Sequence, residues 1–271
     1  MADQKINEEQ IKFYNENGYL IVNNVLSNLE CDKYLKQIKK HANIDFAAIM
    51  NPDRFDFLIA QTFENLIVGL SLSERVDMVS SCETTSKMTF EIMSNKLAIN
   101  ILETLQKCKV VGLMSQMLFK EANTRYANQA WDPHQDNVYT QNNSKLSNGF
   151  TTQYLTTNFF LADANIDNGS LYVYPGSHKF GLFDAASKVS YRERDDSNPG
   201  NKISEAILSK FNKVDCAFKK GDLLILNGNC IHGSYPNNSN NSRPLLSVSY
   251  ISEGETFITG KNARRKVIQL G

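Results

Sequence analysis

Hydrophobic and polar positions follow two different rhythms along the chain, and the change falls near residue 109. Before it, apolar residues recur at helical spacing. Ile11, Phe13 and Tyr14 predict a short helix over Glu8–Asn17, Gly18 ends it, and Tyr19, Leu20, Ile21 and Val22 form an apolar run that predicts a strand. A second helix is expected over about 29–40. Residues 60–107 contain no proline and few glycines, and Met93, Leu97, Ile101, Leu102 and Leu105 fall on one side of a helix; this region predicts two to four helices.

After Lys109 the pattern becomes short apolar or alternating runs separated by Gly, Pro and Asn. Strands are expected at about 110–119, 133–138, 153–162, 171–175, 214–218, 222–227, 230–235 and 245–252. Short strands at this spacing predict a mainly β fold with flanking helices, a sandwich or barrel with the helices packed outside. The Asn- and Ser-rich stretch 236–242 reads as a solvated hairpin loop, and the charged stretch 184–204 as an excursion between strands. No linker divides the chain, so 1–271 is read as a single domain: 1–108 mostly helical, 109–252 the β core.

Composition narrows the function classes. A chain of 271 residues with 41% hydrophobic positions can bury a large core without disulfides or a structural metal, so a metal site would point to function. The 29 Lys+Arg balance 29 Asp+Glu, which leaves no basic field for a phosphate backbone; nucleic acid is not an expected partner. The first residues lack a leader pattern and no stretch reaches about 18 apolar residues, so a cytoplasmic protein without a membrane partner is expected. The 5 cysteines are scattered, with no C-x-x-C pair, and read as buried thiols.

The 4 histidines are scarce enough for their surroundings to matter. His134 and Asp136 are two apart, so on a strand an imidazole and a carboxylate share a face. Taken alone such a pair is weak, because about 0.2 are expected by chance in a chain of this composition. His232 supplies a third ligand after the Lys220-Gly221-Asp222 turn and an apolar strand. Two histidines and a carboxylate make the facial triad of non-haem Fe(II) sites, and they also serve hydrolytic zinc. Arg243 bears on that choice: a hairpin from His232 would bring its planar guanidinium beside the metal, able to hold a carboxylate through two charge-assisted bonds, with Ser234 adding a further one. A zinc hydrolase has no general need for that arrangement. His178 follows a Pro-Gly turn and reads as structural; His41 ends a lysine-rich helix.

These runs resemble the phytanoyl-CoA dioxygenase family of Fe(II)- and 2-oxoglutarate-dependent oxygenases. The matching segments are Pro-His-Gln-Asp at 133–136, Asp-Asn-Gly-Ser-Leu-Tyr-Val-Tyr-Pro-Gly-Ser-His-Lys at 167–179, Lys-Gly-Asp at 220–222, Ile-His-Gly-Ser at 231–234, Arg243, and the opening run 13–22. The resemblance implies a double-stranded β-helix, or jelly roll, with Fe(II) held by His134, Asp136 and His232. By the same carry-over Arg243 and Ser234 bind the distal carboxylate of 2-oxoglutarate, with further cosubstrate contacts at Gln116 and at Asn158, a place where the family often has tryptophan. The implied reaction couples oxidative decarboxylation of 2-oxoglutarate by O2 to hydroxylation of a C–H bond, with desaturation or cyclisation as other uses of the same iron and an acyl thioester as another kind of substrate. Halogenases on this scaffold carry Gly or Ala in place of the carboxylate, and Asp136 is retained. A non-catalytic jelly-roll binding protein is the reading from another class; its mark, loss of a ligand or of Arg243, is missing. Gln135, Asn137, Tyr139, Arg125, Tyr126, Arg192 and Arg194 are polar candidates for the barrel mouth, where they would favour a small polar metabolite; the alternative for each is a solvated surface position.

Overall fold

The computed structural model of the protein describes residues 5–41, 87–120, 122, 130–139, 154–184, 202–254 and 267–270. Helix α1 (Glu8–Asn17) begins with a capping box, in which the Asn7 side chain accepts from the Gln10 N–H while the Gln10 side chain accepts from the Asn7 N–H. It ends at Gly18, whose φ of 79° is the left-handed conformation glycine favours. Strand β1 (Tyr19–Val22) and helix α2 (Asn28–His41) follow, close to the expected bounds. Of the helices expected over 60–107, α3 (Lys87–Met93) and α4 (Lys96–Gln106) are seen, and 60–86 lies outside the described residues. In α4 Ile101, Leu102 and Leu105 of the predicted stripe are buried together with Ala98, Leu97 is half-buried, and Met93 is buried from α3; each fully buried Leu or Ile contributes roughly 1.5–3 kcal/mol.

The remaining strands are β2 (Val110–Lys120), β3 (Trp131–His134), β4 (Tyr154–Phe160), β5 (Leu171–Val173), β6 (Val214–Asp215), β7 (Leu223–Asn227), β8 (His232–Ser234) and β9 (Arg243–Ser252). They form two antiparallel sheets, a major one in the order β1-β7-β4-β9-β2 and a minor one in the order β3-β8-β5-β6. This is the two-sheet β architecture that the spacing of the strands predicts, in the jelly-roll form that the family resemblance implies. The outer face of the major sheet, with Leu155, Phe159, Ile225, Leu246 and Val248, packs against α1, α3 and α4. The inner face, with Phe160, Leu224, Leu226 and Leu245, meets Leu171 and Val173 of the minor sheet. Burial on both faces explains why β7 reads Leu-Leu-Ile-Leu without alternation. No helix among the described residues is long and apolar enough to cross a membrane.

Several expectations are corrected. The strand expected over 133–138 stops at His134, and Asp136 instead opens a 3-10 turn, Asp136–Tyr139. Pro133 has no N–H for the ladder, and the β3–β8 register shifts between Trp131 and His134. The β8–β9 connection is not a hairpin, because β8 lies in the minor sheet and β9 in the major one. Nor is 236–242 wholly solvated. Asn237 is buried, and its side-chain amide donates to the carbonyls of Lys120 and Asn241, which pins the crossover to the end of β2. Among the cysteines, Cys31, Cys216 and Cys230 are buried but Cys108 is exposed; Cys82 lies outside the described residues.

Candidate metal centre and its cleft

His134 and His232 are directly opposite each other in the β3–β8 register, which sets their rings 4.4 Å apart between centroids. The strand pairing thus joins two histidines far apart in sequence. Asp136 reaches the same point from its turn, with Oδ1 3.4 Å from His134 Nε2 and Oδ2 3.6 Å from His232 Nε2. One ligand atom from each of the three lies within 4.8 Å of the others.

The donor set passes a simple test of fit to a divalent cation. His134 Nδ1 lies 2.7 Å from the Asp132 carbonyl and His232 Nδ1 3.0 Å from the Cys230 carbonyl, so each Nδ1 carries the proton and each Nε2 lone pair faces the cleft. Burial pushes the Asp136 carboxyl up, but His232, His134 and the Thr156 hydroxyl outweigh it and hold it well below the usual carboxylate range. Burial also holds His232 below its usual value, against the pull of Asp136. The result at neutral pH is a carboxylate beside a neutral imidazole, the states a metal needs. The nearby Cys230 thiol is pushed by burial up to about 12 and stays protonated, so it does not compete as a ligand.

A cleft runs from this triad along the inner face of the major sheet. The β2–β9–β4 register lays it out in rows: Lys120 opposite Arg243; Leu118 opposite Leu245, itself opposite Phe160; Gln116 opposite Ser247, itself opposite Asn158; then Ser249 opposite Thr156 beside Asp136. A cationic end is therefore separated from the triad by an apolar collar and a polar row. Arg243, 2% exposed, donates from Nε to the Gly169 carbonyl (3.1 Å) and from Nη1 to the Leu118 carbonyl (3.4 Å), which fixes a guanidinium that also lines the cleft. Gly169 has a φ of 86°, and a Cβ there would come within 2.8 Å of Lys120 Cδ; the Asn-Gly turn needs glycine to bring its carbonyl this close. Lys120 is fully buried and donates to the Tyr235 carbonyl; burial and Arg243 hold its pKa well below the usual lysine value.

The structure brings together most residues singled out from the sequence. His134, Asp136, His232, Ser234, Arg243 and Asn158 all line the cleft, and Gln116 takes its register position opposite Ser247. Gln135 and Asn137 do not join them. The Gln135 side-chain amide donates to the carbonyls of Gly181 (2.8 Å) and Asn229 (2.6 Å) and accepts from the Phe183 N–H (2.8 Å); Asn137 donates to the Asn229 side chain (2.9 Å). Both are buried clamps, their amides held by these bonds and absent from the cleft lining. The backbone of Tyr139 closes the 3-10 turn, while Arg125, Tyr126, Arg192 and Arg194 lie outside the described residues. His178 is structural as expected: its ring lies against Gly18, where a Cβ would sit 2.4 Å from Nδ1, and its Nε2 is 3.2 Å from the Asn15 carbonyl. The side chain of His41 is outside the described residues.

Sequence reasoning missed Thr156, Trp131 and Ser247, all of which line the cleft. The sequence carried little signal for Thr156: β4 reads Tyr-Leu-Thr-Thr-Asn-Phe-Phe, three polar residues in succession, and only the strand register shows that Thr156 and Asn158 share the cleft face while Thr157 faces the other way.

Fold and site together define a class, a jelly roll with two histidines and one carboxylate gathered at one end of the cleft between its sheets. The chain belongs to the phytanoyl-CoA dioxygenase (PhyH) family, whose model matches residues 14–245. Among curated relatives, a phytanoyl-CoA dioxygenase domain-containing protein 1 homolog of Dictyostelium discoideum is 31% identical over 141 residues, covering 48% of this chain and 43% of the relative. Phytanoyl-CoA dioxygenase 1 of Oryza sativa subsp. japonica is 33% identical, covering 50% and 44%. These matches span less than half the length of those two relatives. Peroxisomal phytanoyl-CoA dioxygenase of Rattus norvegicus is 22% identical over 97% of this chain and 75% of its own. Among solved structures, EctD from S. alaskensis with 2-oxoglutarate and 5-hydroxyectoine superposes with a TM-score of 0.65 at 16% identity, over 99% of this chain and 87% of that one. The epimerase SnoN in complex with Fe3+ and alpha ketoglutarate gives 0.61 at 17%, over 90% and 83%. At these identities the structural likeness speaks for the fold.

Proposed function

We propose that the protein is an Fe(II)- and 2-oxoglutarate-dependent dioxygenase that hydroxylates a C–H bond of a small molecule, with His134, Asp136 and His232 holding the iron. The observation that carries this reading is the two-ended cleft: a facial ligand set at one end and the buried Arg243 at the other, with Leu118 and Leu245 between. A five-carbon 2-oxo diacid has the matching order of groups: a chelating 2-oxo acid, an apolar pair of methylenes and a distal carboxylate. Arg243 holds that carboxylate and Ser234 adds a hydroxyl, while Asn158 and the row of Gln116 flank the 2-oxo acid end. The lining helps exclude water, which strengthens the charge-assisted bonds within. When bound, the iron supplies the activation of O2, so that 2-oxoglutarate, O2 and R–H become succinate, CO2 and R–OH. Family membership and a structural relative solved with 2-oxoglutarate support the assignment. As Gln135 and Asn137 are turned away, the polarity of the substrate is not set by them.

The test is anaerobic addition of Fe(II) and then 2-oxoglutarate to metal-free protein. A weak visible charge-transfer band that is lost in His232→Ala supports the reading. Metal binding without any such band overturns it and favours a hydrolytic zinc site or a binding protein.

A further inference from the structure

We propose that Thr156 is a positioning residue that confines Asp136 to one-oxygen coordination and thereby keeps open the adjacent metal positions that a 2-oxo acid requires. The inference rests on the reading above and deepens it.

Asp136 is the one member of the triad that does not come from a strand. It opens a 3-10 turn, so no ladder sets the direction of its carboxylate. Its two oxygens are almost equally placed towards the histidines, 3.4 Å from His134 Nε2 for Oδ1 and 3.6 Å from His232 Nε2 for Oδ2. A carboxylate so placed could offer a metal both oxygens at once. The facial arrangement leaves three positions open only if the carboxylate takes one. A chelating 2-oxo acid needs two of them, and a two-oxygen carboxylate would take away one that the cosubstrate or O2 must use.

Thr156 resolves the ambiguity. Its Oγ1 donates to Asp136 Oδ2 at 2.6 Å, a length typical of a charge-assisted O–H···O⁻ bond. The donor itself is held firmly: Thr156 is 5% exposed, sits in the middle of β4, and is paired on both sides, with Leu226 of β7 and Ser249 of β9. Its β-branched side chain has restricted rotation about χ1. The major sheet thus supplies, from a strand paired on both sides, the bond that orients the one ligand outside a strand, leaving Oδ1 for the metal. Partners behind a metal ligand commonly set its orientation in this way.

The experiment uses the full chain with Thr156→Val, which removes the donor, and Thr156→Ser, which keeps it, after thermal denaturation shows each is folded. Thr156→Ala stands in if the valine variant does not fold. Two quantities are read anaerobically: Co(II) affinity from its visible absorption, and the 2-oxoglutarate dissociation constant from the charge-transfer band of the Fe(II) form. The proposal expects Thr156→Val to bind Co(II) within about fivefold of the parent, but 2-oxoglutarate at least tenfold more weakly and with a shifted band. Thr156→Ser should return the cosubstrate constant to within about threefold. Unchanged 2-oxoglutarate binding in Thr156→Val overturns the proposal. So does a loss of Co(II) affinity as large as that of 2-oxoglutarate, since Thr156 would then secure the metal itself. Absence of the band in the parent protein is a different failure, that of the cosubstrate reading.

Discussion

The two ends of the cleft are built by opposite means. The Arg243 end belongs to the major sheet, where β2 and β9 pair along both strands with one register shift, between Gly112 and Met114 and far from Arg243, which lies opposite Lys120 in an unbroken run of the register. The triad end is made from strand termini and a turn: β3 and β8 are short, their register is interrupted, and Asp136 is outside the ladder. What holds the triad end is side chains bonded to backbone, with Gln135 tying Gly181, Asn229 and Phe183 together and Asp132 and Cys230 carbonyls orienting the imidazoles. A site can thus combine a binding end with the rigidity of a long sheet and a reactive end whose geometry depends on single hydrogen bonds. Losses at the first end should be selective for the cosubstrate. Loss of a ligand at the second, or of the Gln135 clamp behind it, should spread to metal, cosubstrate and stability together, whereas Thr156, which reaches that end from the major sheet, should affect the cosubstrate selectively.

The largest effect expected is that of Asp136→Ala or His232→Ala, each of which should weaken Fe(II) binding by at least about 100-fold in anaerobic titrations, since removing a ligand costs more than disturbing an outer partner. Arg243→Ala should come next and be selective. The charge-assisted bonds it removes are worth about 1.5–3 kcal/mol, or roughly 10- to 100-fold in 2-oxoglutarate affinity, while metal affinity stays within about threefold. Equal losses of metal and cosubstrate in that variant would erase the contrast between the ends.

Gln135→Ala should fall between local and global. It leaves the Gly181 and Asn229 carbonyls and the Phe183 N–H without this partner, at about 2 kcal/mol, which for a chain of this size lowers Tm by roughly 5 °C. Because it lies between two ligands, metal affinity should fall with it. In the major sheet, Ser249→Ala removes the hydroxyl that accepts from Tyr154 and should cost no more than about 1 kcal/mol. Calorimetry of both variants in the metal-free state provides the comparison.

The strands were legible because they are apolar runs between turn residues, with the Asp167-Asn168-Gly169 and Lys220-Gly221-Asp222 turns marking where they bend; that pattern reached a sandwich or barrel, and the roll itself came from the family resemblance. His134, His232 and Arg243 were legible from type and order. The errors share a cause, the link between position and direction. Treating 133–138 as a strand put Asp136 on the right side for the wrong reason, since the chain leaves the ladder after His134. Gln135 and Asn137 looked like substrate contacts because polar residues beside ligands invite that reading, yet their amides are taken up by Gly181, Asn229 and Phe183 behind the triad. Polarity could not tell a clamp from a contact; only the partners of the amides could. The 236–242 stretch looked solvated by composition, and its anchor is one buried side chain, Asn237.

The smallest effect lies outside the cleft. Burial holds the His178 imidazole below its usual value despite the Asn15 carbonyl, and its Nδ1 has no hydrogen-bond partner among the described residues. The unfolded chain therefore takes up this proton first as pH falls below about 6.5, and stability contributed above that value is lost as pH drops towards the lower folded pKa. His178→Gln should flatten the decline in stability of the metal-free protein between pH 7 and 5, by no more than about 1.4 kcal/mol per pH unit. Denaturant midpoints at several pH values in that window read it directly; parallel slopes would contradict it.

The most direct test of the two-ended cleft is to compare 2-oxoglutarate with 2-oxobutyrate, which keeps the chelating end and lacks the distal carboxylate, by anaerobic titration of the Fe(II) protein and of Arg243→Ala. The account predicts that the parent prefers 2-oxoglutarate by about 10- to 100-fold and that Arg243→Ala removes most of the preference while still binding both. A preference that survives intact in Arg243→Ala, or that the parent never shows, would contradict it.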